Sequence, residues 1–330
     1  MKAFDFASPS SLSEALGALA DSDDSAALAG GTDLINRMKD YVTSPKRVVY
    51  LKDVKGLAGI TGDPKASGTT VGSGTLLASI VEHKGIKEAY PALWQAAYEV
   101  GTPQLRNMAT VGGNLLQRPR CWYYRSGFGL LGTKDGKSLV RAGDNRYHSI
   151  FMTEGDALFA SPSSLAVPLV ALGATATLAG PKGERTVPVA ELYRIPKTAE
   201  EGELAIQPGE ILTKVMIPPA KGKNASYEIR EKNAYDWPLV MASVNLTLDG
   251  ETVSKASVIL YGVAPIPYKS EAAEKAITGK KVDEETAAAA GAASVEGAKP
   301  LSTNGYKVAL TKTAVKRALL AAVGNRYWEA

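Results

Sequence analysis

Two segments of this sequence, each centred on a pair of adjacent glycines, are the best candidates for binding a charged ligand. The first pair, Gly30 and Gly31, ends an apolar run in residues 27–35 and is followed by a hydroxyl, a carboxylate and a helical spacing. A strand that stops at two glycines and re-enters as a helix exposes backbone N–H groups that favour a phosphate. For one such motif alone, a turn followed by an N-cap is the alternative. The candidate contacts are Leu28, Ala29, Gly30, Gly31, Thr32, Asp33 and Leu34.

The second glycine pair, Gly112 and Gly113, follows another short apolar step and is flanked by a threonine and an asparagine. Two loops of this kind, each preceded by a helical stretch, can close on one diphosphate from two sides. A diphosphate suits paired loops better than a single terminal phosphate does. The candidate contacts in this region are Gly101, Arg106, Thr110, Gly112, Gly113 and Asn114.

The two motifs together resemble a known family. AGGTDL near the N-terminus and QLRNMATVGGNL near residue 110 are similar to the flavin-binding subunit of the molybdenum hydroxylases, the family of xanthine dehydrogenase and carbon monoxide dehydrogenase. The resemblance covers nearly the whole chain, and the paired motifs in this order and spacing are far more specific than either alone. It implies that FAD is the cofactor and that both loops bind it.

The resemblance also implies two flavin contacts outside the loops. Asp156 matches an acidic position that contacts the flavin in relatives, and a strand-edge or turn carboxylate is the alternative. Lys232 lies in a segment where the second domain of relatives reaches back toward the flavin. Relatives often carry a lysine earlier in that segment, where this chain has Glu228, so a surface salt bridge is the alternative for Lys232.

By the same resemblance, the chain works within a heteromeric enzyme. A large subunit would hold the molybdenum cofactor that oxidises the substrate, and a small subunit would hold [2Fe-2S] clusters that pass electrons to FAD on this chain. An external acceptor such as NAD, oxygen, a quinone or a carrier protein would then take the electrons. No catalytic residue is assigned to this chain. Two alternatives stay open: a free-standing FAD-dependent oxidoreductase, and a flavin-free assembly subunit whose glycine loops are structural turns.

Composition narrows the classes of partner and compartment. A length of 330 residues allows two domains with separate cores. The net charge of +4 is dispersed and gives no sign of a nucleic-acid partner. No run approaches the roughly 18 apolar residues of a membrane span, and the first residues lack the apolar stretch of a signal peptide. The single cysteine, Cys121, fits a reducing compartment. We expect a cytoplasmic protein, with export to the periplasm alongside a partner as the alternative.

Alternating strand and helix patterns predict an α+β fold rather than a doubly wound parallel sheet. The resemblance makes residues 1–178 a two-lobed FAD-binding domain of the PCMH type. Residues 179–225 are rich in proline, glycine and lysine, and we interpret them as a joining segment even though residues 210–217 have a strand pattern. Residues 226–330 carry antiparallel strand patterns and then three helical ones, which predicts a smaller C-terminal flavoprotein domain.

Finer patterns predict single elements near the loops. Ser11 and Glu14 have the spacing of a capping box that opens a helix. Residues 86–100 have a continuous helical pattern, residues 156–160 an apolar strand pattern, and residues 164–172 a second helical pattern.

The sequence gives little support for a metal site or for nucleophilic catalysis. The chain has only two histidines, His83 and His148, and neither has metal-ligand spacing. Residues 72–77 begin like a dinucleotide fingerprint, but Leu77 stands where the third glycine belongs. Residues 132–138 resemble a phosphate loop but are one residue short between the glycines. The difficult chemical step therefore belongs to a bound cofactor.

Residues 117–125 are dense in arginines and aromatics next to the second glycine loop. In some family members the matching stretch opens an insertion whose four cysteines hold an iron–sulfur cluster. This chain keeps only Cys121, and a cubane cluster needs four thiolates or equivalents. We therefore expect Cys121 to act as a small buried side chain. Trp122 and Tyr123 can shield a flavin ring or pack against a partner, and the sequence does not decide between these roles.

We predict that the chain expressed alone contains no iron–sulfur cluster, because Cys121 has no second cysteine with which to share one. Analyses of the purified chain for iron and acid-labile sulfide should find neither. About four irons per chain, the content of one cubane cluster, would contradict this prediction.

Overall fold

The computed structural model of the protein describes residues 1–20 and 24–329. Over these residues the strands are β1 (Asp5–Ala7), β2 (Ser25–Leu28), β3 (Arg47–Tyr50), β4 (Ile60–Asp63), β5 (Gly68–Gly72), β6 (Thr133–Lys134), β7 (Lys137–Ser138), β8 (Thr175–Gly180), β9 (Gly183–Pro188), β10 (Ile211–Ile217), β11 (Lys223–Ile229), β12 (Val240–Asp249), β13 (Thr252–Tyr261) and β14 (Tyr268–Lys269). No helix in the described ranges is long and apolar enough to cross a membrane.

Helices occur between and after these strands. They are α1 (Leu12–Ala20), α2 (Leu34–Lys39), α3 (Leu77–Glu82), α4 (Lys84–Ala89), α5 (Pro91–Glu99), α6 (Pro103–Arg106), α7 (Val111–Leu115), α8 (Trp122–Arg125), α9 (Leu139–Ala142), α10 (Ala166–Ala171), α11 (Glu271–Ile277), α12 (Glu284–Ala293) and α13 (Tyr306–Ala322). Two short 3-10 helices lie at Val189–Leu192 and Tyr327–Glu329.

The first sheet is parallel, in the order β1-β3-β2, and it positions the first glycine pair. Successive side chains of a strand point to opposite faces, so Val48 and Val49 of β3 belong to different packing layers. Val49 packs with residues of α1, and Val48 packs with Leu34 and Met38 of α2. The predicted capping box at the start of α1 is confirmed by bonds between Ser11 and Glu14. Strand β2 thus ends at a fixed point, directly before the first glycine pair.

The second sheet is antiparallel, in the order β4-β5-β10-β8-β9. Strand β10 lies in its middle, although residues 179–225 are interpreted above as a joining segment. The reason is that Leu212, Val215 and Ile217 of β10 complete the apolar cluster beneath α3, α5, α7 and α10. Strands β9 and β10 therefore belong to the body of the first part of the chain, despite the proline and glycine around them.

The third sheet is antiparallel, in the order β11-β12-β13-β14, and both of its faces are covered. One face, which includes Val240 and Ala242, packs against α11, α12 and α13. The other face, which includes Met241 and Tyr261, packs against α5 and α10 of the first part. Two buried hydroxyl groups add polar contacts there, since Ser226 bonds Ser243 and donates to a carbonyl of α5. The third sheet is therefore fixed to the first part of the chain.

Two local predictions are wrong. Residues 156–160 form no strand, because Ser149 bonds the carbonyls of Leu158 and Phe159 and holds this apolar run as a buried loop. The helical pattern over residues 86–100 is split into α4 and α5 at Tyr90, whose φ of −124° and ψ of 58° are not helical. Pro91 explains the break, since the residue before proline is pushed out of the helical region.

Asn145 connects the loop before His148 to the residues that precede α13. Its side chain is fully buried, donates to the Val140 carbonyl at 3.1 Å and the Ser302 hydroxyl at 2.9 Å, and accepts the Thr303 N–H at 2.9 Å. Both ends of the amide are therefore satisfied by partners that are far apart in sequence.

We predict that Asn145→Ala lowers the free energy of unfolding by about 3 kcal/mol, because it leaves buried donors and acceptors without partners. Urea denaturation followed by circular dichroism measures the change. The matched control is Asn325→Ala, at an exposed position, which should leave stability within about 0.5 kcal/mol of the parent chain. Equal stabilities of the two variants would contradict the prediction.

Candidate functional site

The two glycine loops touch. A Cβ added at Gly30 would lie 1.9 Å from the carbonyl oxygen of Met108, which is closer than any real contact. Gly31 beside it has a φ of +76°, in the left-handed region that favours glycine. The structure thus brings together the loops that the sequence analysis places on one ligand, and only a glycine at position 30 permits their approach.

The first loop offers open hydrogen-bond donors. The backbone N–H groups of Gly31, Thr32 and Asp33 have no acceptor among the described residues. Successive free N–H groups around a left-handed residue form a concave site for anions.

The second loop is tied into the fold instead. The Gly112 N–H donates to the Ser73 carbonyl at 2.7 Å, and the Gly113 N–H donates to the Thr110 hydroxyl at 3.0 Å. The Asn114 amide oxygen accepts the Ser163 hydroxyl at 2.9 Å, which fixes the start of α10. The second loop therefore forms a fixed part of the site wall, while the first loop provides free hydrogen-bond donors.

Three cavities follow one another from the loops across the molecule. We call them the loop cavity (about 140 Å³), the middle cavity (about 270 Å³) and the aromatic cavity (about 350 Å³). The loop and middle cavities share Thr32, Asp33, Gly113 and Gln117. The middle and aromatic cavities share Arg120, Asp236, Trp237 and Pro238. Shared wall residues place the three cavities side by side in this order, and we call the row of cavities the groove.

Most of the residues predicted from the motifs line this groove. Those in the wall of the loop cavity are Leu28, Ala29, Gly30, Gly31, Thr32, Asp33, Leu34, Thr110, Gly112 and Gly113. Gly101 and Asn114 line the middle cavity. Arg106 lines none of the three; it donates to the Val100 and Gly101 carbonyls at 3.1 Å each and so holds the Gly101 turn in place.

Asp156 and Lys232 lie outside the groove. The Asp156 side chain is 51% exposed and faces Arg141 at 3.9 Å. Its position follows from the loop that replaces the predicted strand, since that loop turns the carboxylate to the surface. Lys232 is also exposed, although Glu231 and Trp237 of the same segment line the aromatic cavity. Neither side chain reaches a cavity wall, so the placement gives no support to these two as flavin contacts.

Asp33 binds several arginines at the junction of the loop and middle cavities. Its carboxylate lies 3.2 Å from Arg37, 3.3 Å from Arg120 and 2.7 Å from Arg125. Burial opposes ionisation, but the positive charges of Arg120 and Arg125 prevail and lower the pKa of Asp33. The carboxylate is therefore ionised and serves as an anchor for guanidinium groups.

The aromatic cavity is lined by two tryptophans, a thiol, an imidazole and several charged side chains. Trp122 and Trp237 line it, and the Arg120 guanidinium lies 4.6 Å from the Trp237 ring. The Cys121 sulfur is 3.1 Å from Nε2 of His148. Burial raises the pKa of Cys121 and lowers the pKa of His148 to about 4. Both groups are neutral at neutral pH, so they do not form the charged pair of a nucleophilic cysteine.

Lys307, in the wall of the same cavity, has no donor left for a ligand. Its buried ammonium donates to the carbonyls of Tyr147 at 3.0 Å, His148 at 3.1 Å and Gly262 at 2.6 Å. An ammonium has three donors, and all are used. Burial lowers its pKa to about 7.

Sequence reasoning did not single out Arg120 or Trp237 as groove residues. The density of arginines and aromatics in residues 117–125 was the available signal for Arg120. No local pattern marks Trp237, because it reaches the groove only through the packing of the third sheet.

Comparison with known proteins identifies the family. Residues 2–220 match the FAD binding domain in molybdopterin dehydrogenase, and residues 225–322 match the CO dehydrogenase flavoprotein C-terminal domain. The chain is 29% identical to the aldehyde oxidoreductase FAD-binding subunit PaoB of Escherichia coli K12, over 86% of this chain and 87% of that one.

Solved structures have the same fold. Carbon monoxide dehydrogenase from Hydrogenophaga pseudoflava aligns with a TM-score of 0.76 at 25% identity, and quinoline 2-oxidoreductase from Pseudomonas putida 86 with a TM-score of 0.77 at 23% identity. Each alignment covers 98% of both chains. The resemblance and the α+β fold class given by the sequence analysis are thus confirmed: the chain belongs to the family of FAD-binding subunits of molybdopterin dehydrogenases.

Proposed function

We propose that this chain is the FAD-carrying electron-transfer subunit of a heteromeric molybdenum-dependent hydroxylase or dehydrogenase. The observation that carries the proposal is the contact of two glycine loops at one end of the groove. This arrangement provides free N–H donors at the loop end and two tryptophan side chains at the other end. It suits a ligand that carries both a diphosphate and a planar ring.

The groove residues fit FAD in chemical type. The N–H groups of Gly31, Thr32 and Asp33 suit the diphosphate, because successive free backbone donors around a left-handed glycine form a concave site for anions. Trp122 and Trp237 suit the ring, since aromatic faces stack on planar groups and exclude water. Bound FAD would supply the redox chemistry, and the side chains of this protein would hold and orient it.

The chain's own ionisable groups support a carrier rather than a substrate-oxidising role. Cys121 and His148 are neutral, and the donors of Lys307 are all bound to backbone carbonyls. These three groups therefore offer neither a ready nucleophile nor a free cation beside the ring.

We further propose the partners that such a carrier needs. A large subunit would hold the molybdenum cofactor and oxidise the substrate, and a small subunit would hold [2Fe-2S] clusters. Relatives named carbon monoxide dehydrogenase medium chain support a complex in which this chain has other subunits as partners. An external acceptor would take the electrons from FAD. The single cysteine supports the cytoplasm as the compartment, with the periplasm as the alternative.

We predict that Gly113→Val weakens FAD binding at least tenfold while the protein stays folded. A Cβ at Gly113 would meet only the Thr110 hydroxyl, at 3.1 Å, and this position lines both the loop and middle cavities. The added side chain would therefore fill space that the ligand needs. Titration of the deflavinated chain with FAD, followed by flavin fluorescence, measures the dissociation constant.

The matched control is Gly17→Val, because Gly17 is also a helical glycine and a Cβ there meets nothing within 4 Å. This control should bind FAD like the parent chain, since it lies outside the groove. Unchanged affinity in Gly113→Val would contradict the assignment of the loop cavity to FAD.

We predict that the isolated, FAD-loaded chain does not oxidise substrates of the complex. Anaerobic mixing with a panel of aldehydes and N-heterocycles should leave the flavin absorbance unchanged, because the substrate site would lie on the molybdenum subunit. Bleaching should occur only after the large and small subunits are added. Rapid bleaching without them would favour a free-standing oxidoreductase, and failure to bind any flavin would favour an assembly subunit.

A further inference from the structure

The Asp33 carboxylate is engaged mainly by groups of this chain. Its Oδ1 atom accepts from Arg125 at 2.7 Å and lies 3.3 Å from Arg120 in an ion pair. Its Oδ2 atom accepts from Arg37 at 3.2 Å and from the Arg118 N–H at 3.1 Å. A carboxylate has about four lone-pair sites, so these three hydrogen bonds use most of its acceptor capacity. Asp33 therefore lies in the groove wall chiefly as a partner of guanidinium groups.

The arginines around Asp33 carry more charge than it neutralises. Three guanidinium groups share this one carboxylate, so positive charge is in excess at the junction of the loop and middle cavities. Arg118 is nearby but forms its own ion pair with the buried Glu203. Lys52 adds another cation to the wall of the loop cavity. A bound anion would balance this excess.

The acidic side chains at this end of the groove are already paired. Glu210 in the wall of the loop cavity lies 2.7 Å from Arg185. Glu99 in the wall of the middle cavity lies 2.7 Å from Arg230. Glu231 and Asp236 line the aromatic cavity, with Asp236 also reaching the middle cavity. The aromatic cavity also contains Arg120 and Lys307, so the excess of positive charge lies near the loops.

Two of the three arginines keep unused donors. Arg37 uses only its Nε on Asp33, and its terminal nitrogens have no acceptor among the described residues, although its side chain is only 14% exposed. Arg120 donates to the Gln117 amide oxygen at 3.0 Å, but a guanidinium has five N–H donors, and the Nε of Arg120 has no partner among the described residues. Arg125 differs, because it also donates to the carbonyls of Pro119 and Arg118 and lines none of the three cavities.

We propose that Arg37 and Arg120 are the cationic ligands of the FAD diphosphate, and that Asp33 positions them. Arg37 lines the loop cavity and Arg120 the middle cavity, and Thr32 and Asp33 of the first loop line both cavities. A guanidinium held by a carboxylate keeps its fork oriented for phosphate oxygens. Asp33 is then a positioning residue, which replaces its predicted role as a direct contact. The inference rests on the proposed function.

The test compares ligands with and without a diphosphate on the deflavinated full-length chain. Arg37→Gln and Arg120→Gln should each raise the dissociation constants of FAD and of ADP about 10- to 100-fold, the loss of one charge-assisted hydrogen bond. Riboflavin has no phosphate, so its dissociation constant should change less than about twofold in Arg37→Gln. Flavin fluorescence measures FAD and riboflavin, and competition against FAD measures ADP.

Two further variants guard the interpretation. Arg326→Gln, at a surface arginine that lines none of the cavities, should bind all three ligands like the parent chain. Arg120→Lys keeps a charge and should recover part of the lost FAD affinity. Added salt should weaken FAD binding to the parent chain more than to Arg37→Gln, because a screened charge contact is missing from the variant.

The outcomes separate this inference from the proposed function. FAD affinity unchanged in both glutamine variants, or equal losses for riboflavin and FAD in Arg37→Gln, would overturn the inference while FAD binding by the parent chain stands. A parent chain that binds neither FAD nor riboflavin would overturn the proposed function, and the inference with it.

Discussion

The groove depends on one close contact, between Gly30 and the Met108 carbonyl. The first loop leaves the parallel sheet and the second loop is anchored to the end of β5 through Ser73, so the two loops belong to different packing units. With a hypothetical Cβ at Gly30 only 1.9 Å from that carbonyl, any other residue would force the units apart. The wall that the loop and middle cavities share therefore depends on the close contact between the backbones of the two glycine loops.

The third sheet completes the groove because it is buried on both faces. Met241 and Tyr261 hold it against α5 and α10, and the opposite face holds the C-terminal helices. This placement carries residues 231–239 over the second glycine loop, so that Trp237 meets Arg120. A sheet with one solvated face would leave the aromatic end of the groove open to water. The C-terminal part thus forms part of the site as well as a covering layer.

The sequence predicts the loops better than it predicts their surroundings. Gly30, Gly31, Gly112 and Gly113 can be recognised because the absence of a Cβ has a local backbone consequence. The charge balance around Asp33 cannot be predicted in this way. Arg120 and Arg125 are about ninety positions from Asp33 in the sequence, and no local pattern shows that they contact it. The same limit explains the wrong strand prediction over residues 156–160: an apolar run looks alike in a strand and in a buried loop, and only the hydrogen bonds of Ser149 decide.

Buried polar groups around the groove fall into two kinds, and the division explains why this wall binds rather than reacts. Asn114, Asn145 and Lys307 satisfy their donors and acceptors within the protein, so they fix loops and offer nothing to a ligand. The first loop and Arg37 keep donors open, at a cost in stability that an anion would offset. The N–H groups of the first loop and the Arg37 guanidinium are donors, so they stabilise a bound anion without taking a proton from it. Any chemistry at this site then depends on the ligand bound in the groove, and the protein determines the position of that ligand.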